Sequence, residues 1–324
     1  VSASAETTAG GVRFATDAAG PARSGNGTRM IRNRRYSRDG IWAPFLFIGP
    51  ALLIYGAFSL YPTVDTLRLA LTDAKGLNSA ANFVGVENFV SLGSDATVLR
   101  VLLQTAQWLV LHVLLAGGAG LALAVAIARL TRTHVFYRTA YFLPHVVSLA
   151  VVGVIWAKIY DPYFGLLNAA LDAVGLGWFK LGWLSDPALV IFSVNIASSW
   201  QGFGIYMLLF IAGLQNIDTA LYEAAEIDGA GPWQKFVHVT LPGLREVMTF
   251  VVSLALINGL KGFATIWVMT QGGPFYRSEI LTTYIVKLAF QFQEHGRAAA
   301  LCVVLSLIAM GITIVFNRWR EKLQ

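Results

Sequence analysis

From residue 42 onward the chain is a succession of long apolar runs separated by short polar breaks, whereas residues 1–39 hold Ala, Gly, Ser, Thr and Arg with almost no large apolar side chains. The runs fall at about 42–60, 98–128, 141–159, 188–214, 247–270 and 298–316. Each reaches or approaches the ~20 residues that an α-helix needs to cross a hydrocarbon layer about 30 Å thick. Continuous apolarity together with the need to satisfy every backbone amide inside lipid selects helices over strands. The pattern therefore predicts an all-α membrane protein with six transmembrane helices over residues 40–324. The first 39 residues bury too little to offset the entropy of ordering them, so a disordered basic tail is expected there.

Composition sharpens this picture in two places. With 56% hydrophobic and 13% charged residues among 324, the chain is too apolar for an ordinary soluble domain. The net charge of +6 does not signal nucleic acid, because Arg29, Arg32, Arg34, Arg35 and Arg38 crowd together just before the first run. With Arg129, Arg132 and Arg138 after the second run and Arg318, Arg320 and Lys322 after the last, they predict a cytoplasmic location for both termini of a multi-pass protein. Arg277, Lys287 and Arg297, between the fifth and sixth runs, oppose that assignment mildly. Leu281, Tyr284, Ile285, Leu288 and Phe292 recur there at helical spacing, predicting a short helix along the outer interface. Trp42, Trp156, Trp267 and Trp319 near run ends suit an aromatic belt, and Ala116, Gly120 and Ala124 form a stripe that lets a second helix approach closely.

The break between runs four and five, about 215–246, carries the most specific pattern. Tyr222 to Ile227 favours helix, Gly229 and Gly231 stop it, and Pro232 suits the first turn of a second helix. Within it stand Glu223, Ala224, Ala225, three residues, Gly229, nine residues, then Val239, Leu241 and Pro242. This spacing resembles the signature of permease subunits of binding-protein-dependent ABC importers, with Val239 where Ile is commoner. Phe83 onward (FVGVENFVSL), Phe136 onward (FYRTAYFLPHVVSL) and the stretch ending at Pro274 (WVMTQGGP) are similar to the carbohydrate-uptake, maltose-type branch over roughly residues 42–320. The resemblance implies a type I ABC importer permease fold. It makes Glu223, Ala224, Ala225, Asp228, Gly229 and Ala230 a cytoplasmic coupling helix docked on an ATP-binding subunit.

The same resemblance implies further partners: a second permease subunit, an extracytoplasmic solute-binding protein and a sugar-like solute, with lipid around the helices. ATP and Mg would be bound by the partner ATPase, and no cofactor is expected in this chain. Residues matching the family's solute pathway are Trp200, Gln201, Gly202 and Ile205, and Ala255, Asn258, Gly259 and Gly262. The last four share one helical face. Hydroxyl or amide groups expected on that later helix are mostly Ala or Gly here, so Asn258 and Gln201 are the remaining polar groups. They either hydrogen-bond a sugar or tie neighbouring helices together. Lys261, a charge well inside a run, either meets an anionic solute such as a glycerol phosphate or serves a structural role, the latter being the commoner fate of an intramembrane lysine.

No Gly-x-x-x-x-Gly-Lys-Ser/Thr loop occurs, so the chain lacks that route to ATP. Its five histidines are scattered and its single cysteine, Cys302, lies in an apolar run, which disfavours metal or redox chemistry. An ion-coupled secondary carrier is the rival class. It would place acidic groups inside its spans, and none falls inside the six runs.

Overall fold

The computed structural model describes residues 42–76, 81–128 and 134–321, and these are helical wherever the sequence is continuously apolar. The basic tail, Arg129 and Arg132 lie outside the described residues. Two compact units are distinguished, 1–55 and 56–324. The described part of the first is one apolar helix, α1 (Trp42–Tyr55). The second unit begins with a π-turn, Gly56–Leu60, followed by α2 (Tyr61–Leu69). Helices α3 (Glu87–Ser94), α4 (Ala96–His112) and α5 (Gly118–Ala128) come next, the last two joined by a π-turn. After them run α6 (His134–Val146), α7 (Leu149–Ile159), α8 (Leu166–Ala173) and α9 (Val190–Gln215). The remaining helices are α10 (Thr219–Ile227), α11 (Pro232–Lys235), α12 (Leu241–Gly243), α13 (Arg245–Leu260), α14 (Phe263–Met269), α15 (Leu281–Val286) and α16 (His295–Glu321).

Four helices, Leu46–Leu69, Ala96–Ala128, Val190–Gln215 and His295–Phe316, are long and apolar enough to cross a membrane. Two sharply bent pairs raise the number to six if each counts as one crossing. The first span runs nine residues past the expected end at 60, because the π-turn before Tyr61 absorbs the amide that Pro62 lacks. Asp65 thereby enters a span, against the expectation that none held an acid; Arg68 pairs with it at 3.7 Å. The third run is not one straight helix over 141–159: α6 and α7 meet at 97°. Pro144 disrupts the end of α6, and Ser148 caps α7 by accepting from Val151 N. The fifth run breaks as well, at Lys261–Gly262, and the segment Pro232–Gly243 meets α13 at 70°.

Helix α9 is the centre of the bundle. The small-residue stripe does what its spacing predicts: Ala116 and Ala124 are buried, and a Cβ on Gly120 would lie 2.8 Å from Tyr206 Cβ and 2.9 Å from the Met207 nitrogen. Gly204 plays the same part toward α6, where an added Cβ would lie 2.5 Å from the carbonyl oxygen of Tyr141. Both contacts are backbone-close, the geometry that dispersion demands where lipid offers no hydrophobic drive.

At the end of the bundle that carries residues 70–95, the expected short helix between the fifth and sixth runs is present as α15. Leu281, Tyr284 and Leu288 are buried against Leu92, Val98 and Val101 of α3 and α4, together with the start of α16. Basic residues that oppose the charge rule are paired there: Lys287 with the buried Glu279, and Arg297 with Asp95 (2.7 Å) and Glu294 (2.8 Å). Burial raises the Glu279 carboxyl above its ordinary value, with Lys287 and Thr283 working against it. Burial also raises Asp95, but hydrogen bonds from Thr97 N and Arg297 outweigh it and hold that carboxyl below its ordinary value. A depressed carboxylate stabilises above its unfolded pKa and loses that contribution as pH falls through its folded one. Asp95→Asn retains a cap acceptor and drops the ion pair, so we expect it to cost about 1–3 kcal/mol at neutral pH. The gap in Tm between variant and parent, followed in detergent, should close on acidification; a gap independent of pH would show that the ion pair is inert.

Candidate functional site

The segment after α9 builds itself into a rigid protrusion. Asp218 caps α10 by accepting from Ala220 N (2.9 Å), and the helix closes through Asp228 N to Ala224 O (3.0 Å) and Ala230 N to Ala225 O (2.9 Å). Gly229 makes the turn at φ 74°, a conformation that L side chains resist. Gly231 N then donates to Gln234 Oε1 (2.7 Å), and Pro232 opens α11 as its sequence predicts. Two cross-links brace the pair of helices: Lys235 to Glu226 at 2.5 Å and the hydroxyls of Tyr222 and Thr240 at 3.0 Å. A cavity of about 450 Å³ lies under them, lined by Val125, Ala128, Leu214, Tyr222, Phe236 and Thr240.

What the protrusion offers outward is equally specific. Glu223, Ala224, Asp228 and Gly229 are exposed, with Ala225 and Ala230 half-buried. Among the described residues Glu223 has no hydrogen-bonding or ionic partner, in contrast to Glu226. Ile227 is 87% exposed and Trp233 72%, apolar side chains that a finished surface would cover. Two carboxylates unpaired among the described residues, Glu223 and Asp228, beside two bare apolar groups give the protrusion the composition of an interface.

The eight pathway positions are not all brought to one surface. Ala255, Gly259 and Gly202 are buried between α4, α9 and α13. Gly262 is buried as well, and a Cβ there would lie 2.8 Å from Trp108 Nε1. Trp108 donates to Gly259 O (3.1 Å), capping the broken end of α13 from a neighbouring helix. Gln201 does the same at the other break: its amide nitrogen donates to His145 O (3.1 Å) and Val147 O (3.2 Å). Ile205 is half-buried in the central cluster. Trp200, Asn258 and Lys261 remain exposed, with Asn258 Nδ2 donating to Tyr206 Oη at 3.3 Å.

Sequence reasoning missed three residues that shape this region. Trp108, His112 and Tyr206 form a buried aromatic line, with Trp108 stacked on His112 (6.4 Å) and His112 edge-on to Tyr206 (6.3 Å). Asn195 adds to it by donating to Trp108 O at 3.0 Å. The available signal was the recurrence of Gln104, Trp108 and His112 every fourth residue inside an apolar run. Trp156, expected in an interfacial belt, meets Trp200 across α7 and α9. Trp267 stacks on Phe263, and the Trp42 and Trp319 side chains lie outside the described residues.

A helical bundle with four helices long and apolar enough to cross a membrane, up to six counting bent pairs, and a braced protrusion after α9 has the form of a multi-pass membrane component. Residues 118–323 match the family described as binding-protein-dependent transport system inner membrane component, and the chain belongs to it. Among its relatives is YurN of Bacillus subtilis, a probable ABC transporter permease, 33% identical over 84% of this chain and 94% of that one. The diacetylchitobiose uptake system permease NgcF of Streptomyces coelicolor is 34% identical over 88% of this chain and 83% of its own length. The sn-glycerol-3-phosphate transport system permease UgpA of Yersinia pseudotuberculosis is 31% identical over 88% and 98%. The fold superposes on a chain of a bacterial ABC transporter involved in the import of alginate, with a TM-score of 0.75 at 23% identity over 89% of this chain and 97% of that one. The protein is thus a non-catalytic permease subunit of an ABC importer, hydrolysis belonging to a separate subunit of such systems.

Proposed function

We propose that this permease passes a di- or oligosaccharide, or a sugar-like solute, into the cytoplasm, driven by ATP hydrolysis in partner ATP-binding subunits. The residues that couple the two are Glu223, Ala224, Ala225, Asp228, Gly229 and Ala230. The observation that carries this is the protrusion over 218–240: internally braced, yet showing an unpaired Glu223 and bare Ile227 and Trp233. A rigid element of that kind transmits a partner's motion without absorbing it. In this reading both termini and the protrusion are cytoplasmic. A second permease completes the pathway, and an extracytoplasmic binding protein delivers the solute. The saccharide class rests on relatives named for diacetylchitobiose and for starch degradation products.

A second solute class has its own supporting observation. Lys261 is exposed at the break between α13 and α14, next to the exposed Asn258, where a cation would meet a phosphate. We test both in proteoliposomes holding the full importer, with labelled diacetylchitobiose, maltose and sn-glycerol 3-phosphate as probes. Sugar uptake that stops on ATP depletion and survives a proton uncoupler is expected. Uptake that follows the uncoupler instead would return the chain to the secondary carriers. Lys261→Ala should spare the sugars; loss confined to glycerol phosphate would establish the anion reading.

A further inference from the structure

Helix α13 leaves the protrusion at Arg245 and runs 16 residues, ~24 Å, to the break at Lys261. Its two ends are held in different ways. Next to the protrusion the contacts are apolar: a Cβ on Gly213 of α9 would lie 2.7 Å from Val247 Cγ2, and Val251 is buried in the central cluster. The hydroxyls there turn back on their own helix, Thr249 donating to Arg245 O (2.7 Å) and Ser253 to Thr249 O (3.0 Å). Among the described residues, the hydrogen bonds that join α13 to other spans are two, both in its last three residues. Trp108 Nε1 donates to Gly259 O at 3.1 Å, and Asn258 Nδ2 to Tyr206 Oη at 3.3 Å.

The bonded end is also the closely fitted one. Trp108 is fully buried; a Cβ on Gly259 would lie 2.8 Å from Leu109 Cδ2, and one on Gly262 2.8 Å from Trp108 Nε1. Trp108 is itself held from the other side. Asn195 of α9, fully buried, donates through Nδ2 to Trp108 O at 3.0 Å, and its Oδ1 accepts from Ser199 Oγ at 3.0 Å. A carbonyl has two lone pairs, so Trp108 O takes this bond without leaving its place in α4. An amide that ties two spans together is ordinary glue in a membrane. This one differs in its target: it fixes the backbone of the residue whose side chain grips a third helix.

Apolar contacts have no direction, so packed side chains slide past one another, whereas a hydrogen bond weakens steeply once its angle or length is lost. A helix with directional bonds at one end and apolar packing at the other turns about the bonded end. The protrusion joins α13 through α12 and Leu244 at a 70° bend, so displacement enters at Arg245, ~21 Å from Gly259 along the axis. We infer that the Gly259 end of α13 is a fulcrum, with Asn195 as the positioning residue that sets it: movement of the protrusion swings α13 about Gly259 while α4 and α9 stand still. The inference rests on the coupling role proposed above for the protrusion.

The test uses the full importer in proteoliposomes, with spin-label pairs in a Cys302→Ser background. Leu103→Cys on the exposed face of α4 is the reference, and Glu246→Cys and Ile257→Cys report the two ends of α13, where both native residues are exposed. On addition of ATP and Mg the 103–246 distance should shift and the 103–257 distance hold. Asn195→Leu, and Trp108→Phe, which keeps a ring without its N–H, should each let the 257 end move as well. Solute imported per ATP hydrolysed, with maltose, diacetylchitobiose and sn-glycerol 3-phosphate as probes, should fall about two- to tenfold, the worth of one hydrogen bond. The double variant should fall no further than either single one, because both cut the same chain of contacts. Lower yield with an unchanged ratio would reduce Asn195 to helix glue and overturn its role. A 103–257 distance that shifts in the parent as far as the 103–246 distance overturns the fulcrum and leaves the coupling reading standing. If neither distance responds to ATP, the coupling reading falls and the fulcrum with it.

Discussion

Gly120→Leu is expected to leave little folded protein in the membrane. The added side chain begins with a Cβ 2.8 Å from Tyr206 Cβ and 2.9 Å from the Met207 nitrogen, and backbone cannot swing aside as a side-chain tip does. Helices α5 and α9 would have to separate, giving up the close contact that associates them in lipid. Overpacking ordinarily costs 1–3 kcal/mol, and against a backbone we expect upward of ~3 kcal/mol. Gly118, two residues earlier on the same helix, is exposed and has nothing within 4 Å of a Cβ, so Gly118→Leu is the matched control. Monodisperse yield and Tm in detergent should collapse for the first variant and hold for the second; equal behaviour would mean that the interface is looser than its geometry.

The second large effect concerns activity with the fold retained. Gly229→Pro forces φ from 74° to about −65° and deletes the N–H that donates to Glu226 O at 3.0 Å. The turn between α10 and α11 cannot survive that change, yet it lies outside every candidate span, so insertion should proceed normally. Uptake is expected to fall more than tenfold while the amount of inserted protein and its Tm change little. Parental transport by this variant would take the protrusion out of the mechanism, whatever else the chain does.

Much of this was legible before any coordinates. Helical crossings follow from run length and lipid, both of which act on the sequence directly, and the turn at Gly229–Pro232 follows from backbone preferences alone. The bend near Lys261 was suggested by Gly259 and Gly262 on either side of it, whereas the run through Pro144 gave no sign of the 97° break there. Gln201 and Trp108, distant in sequence, donate to backbone carbonyls at the two breaks. For the same reason Gln201 was indistinguishable from a solute ligand. An intramembrane amide has two common fates, and only its neighbours decide between them. Nor did the distribution of basic residues foretell that Lys287 and Arg297 would find acids, one of them 202 residues away.

The clamp of Trp108 on α13 has a bearing on how such a carrier diverges. Of the positions near the break, 255, 259 and 262 are buried, and a Cβ at Gly259 or Gly262 would strike Leu109 or Trp108 of α4. Positions 258 and 261 are open. If the stretch around this break lines the solute path as proposed, change in what the protein carries is channelled through these two positions, and a library randomised there should yield altered preferences far more often than one randomised at the other three.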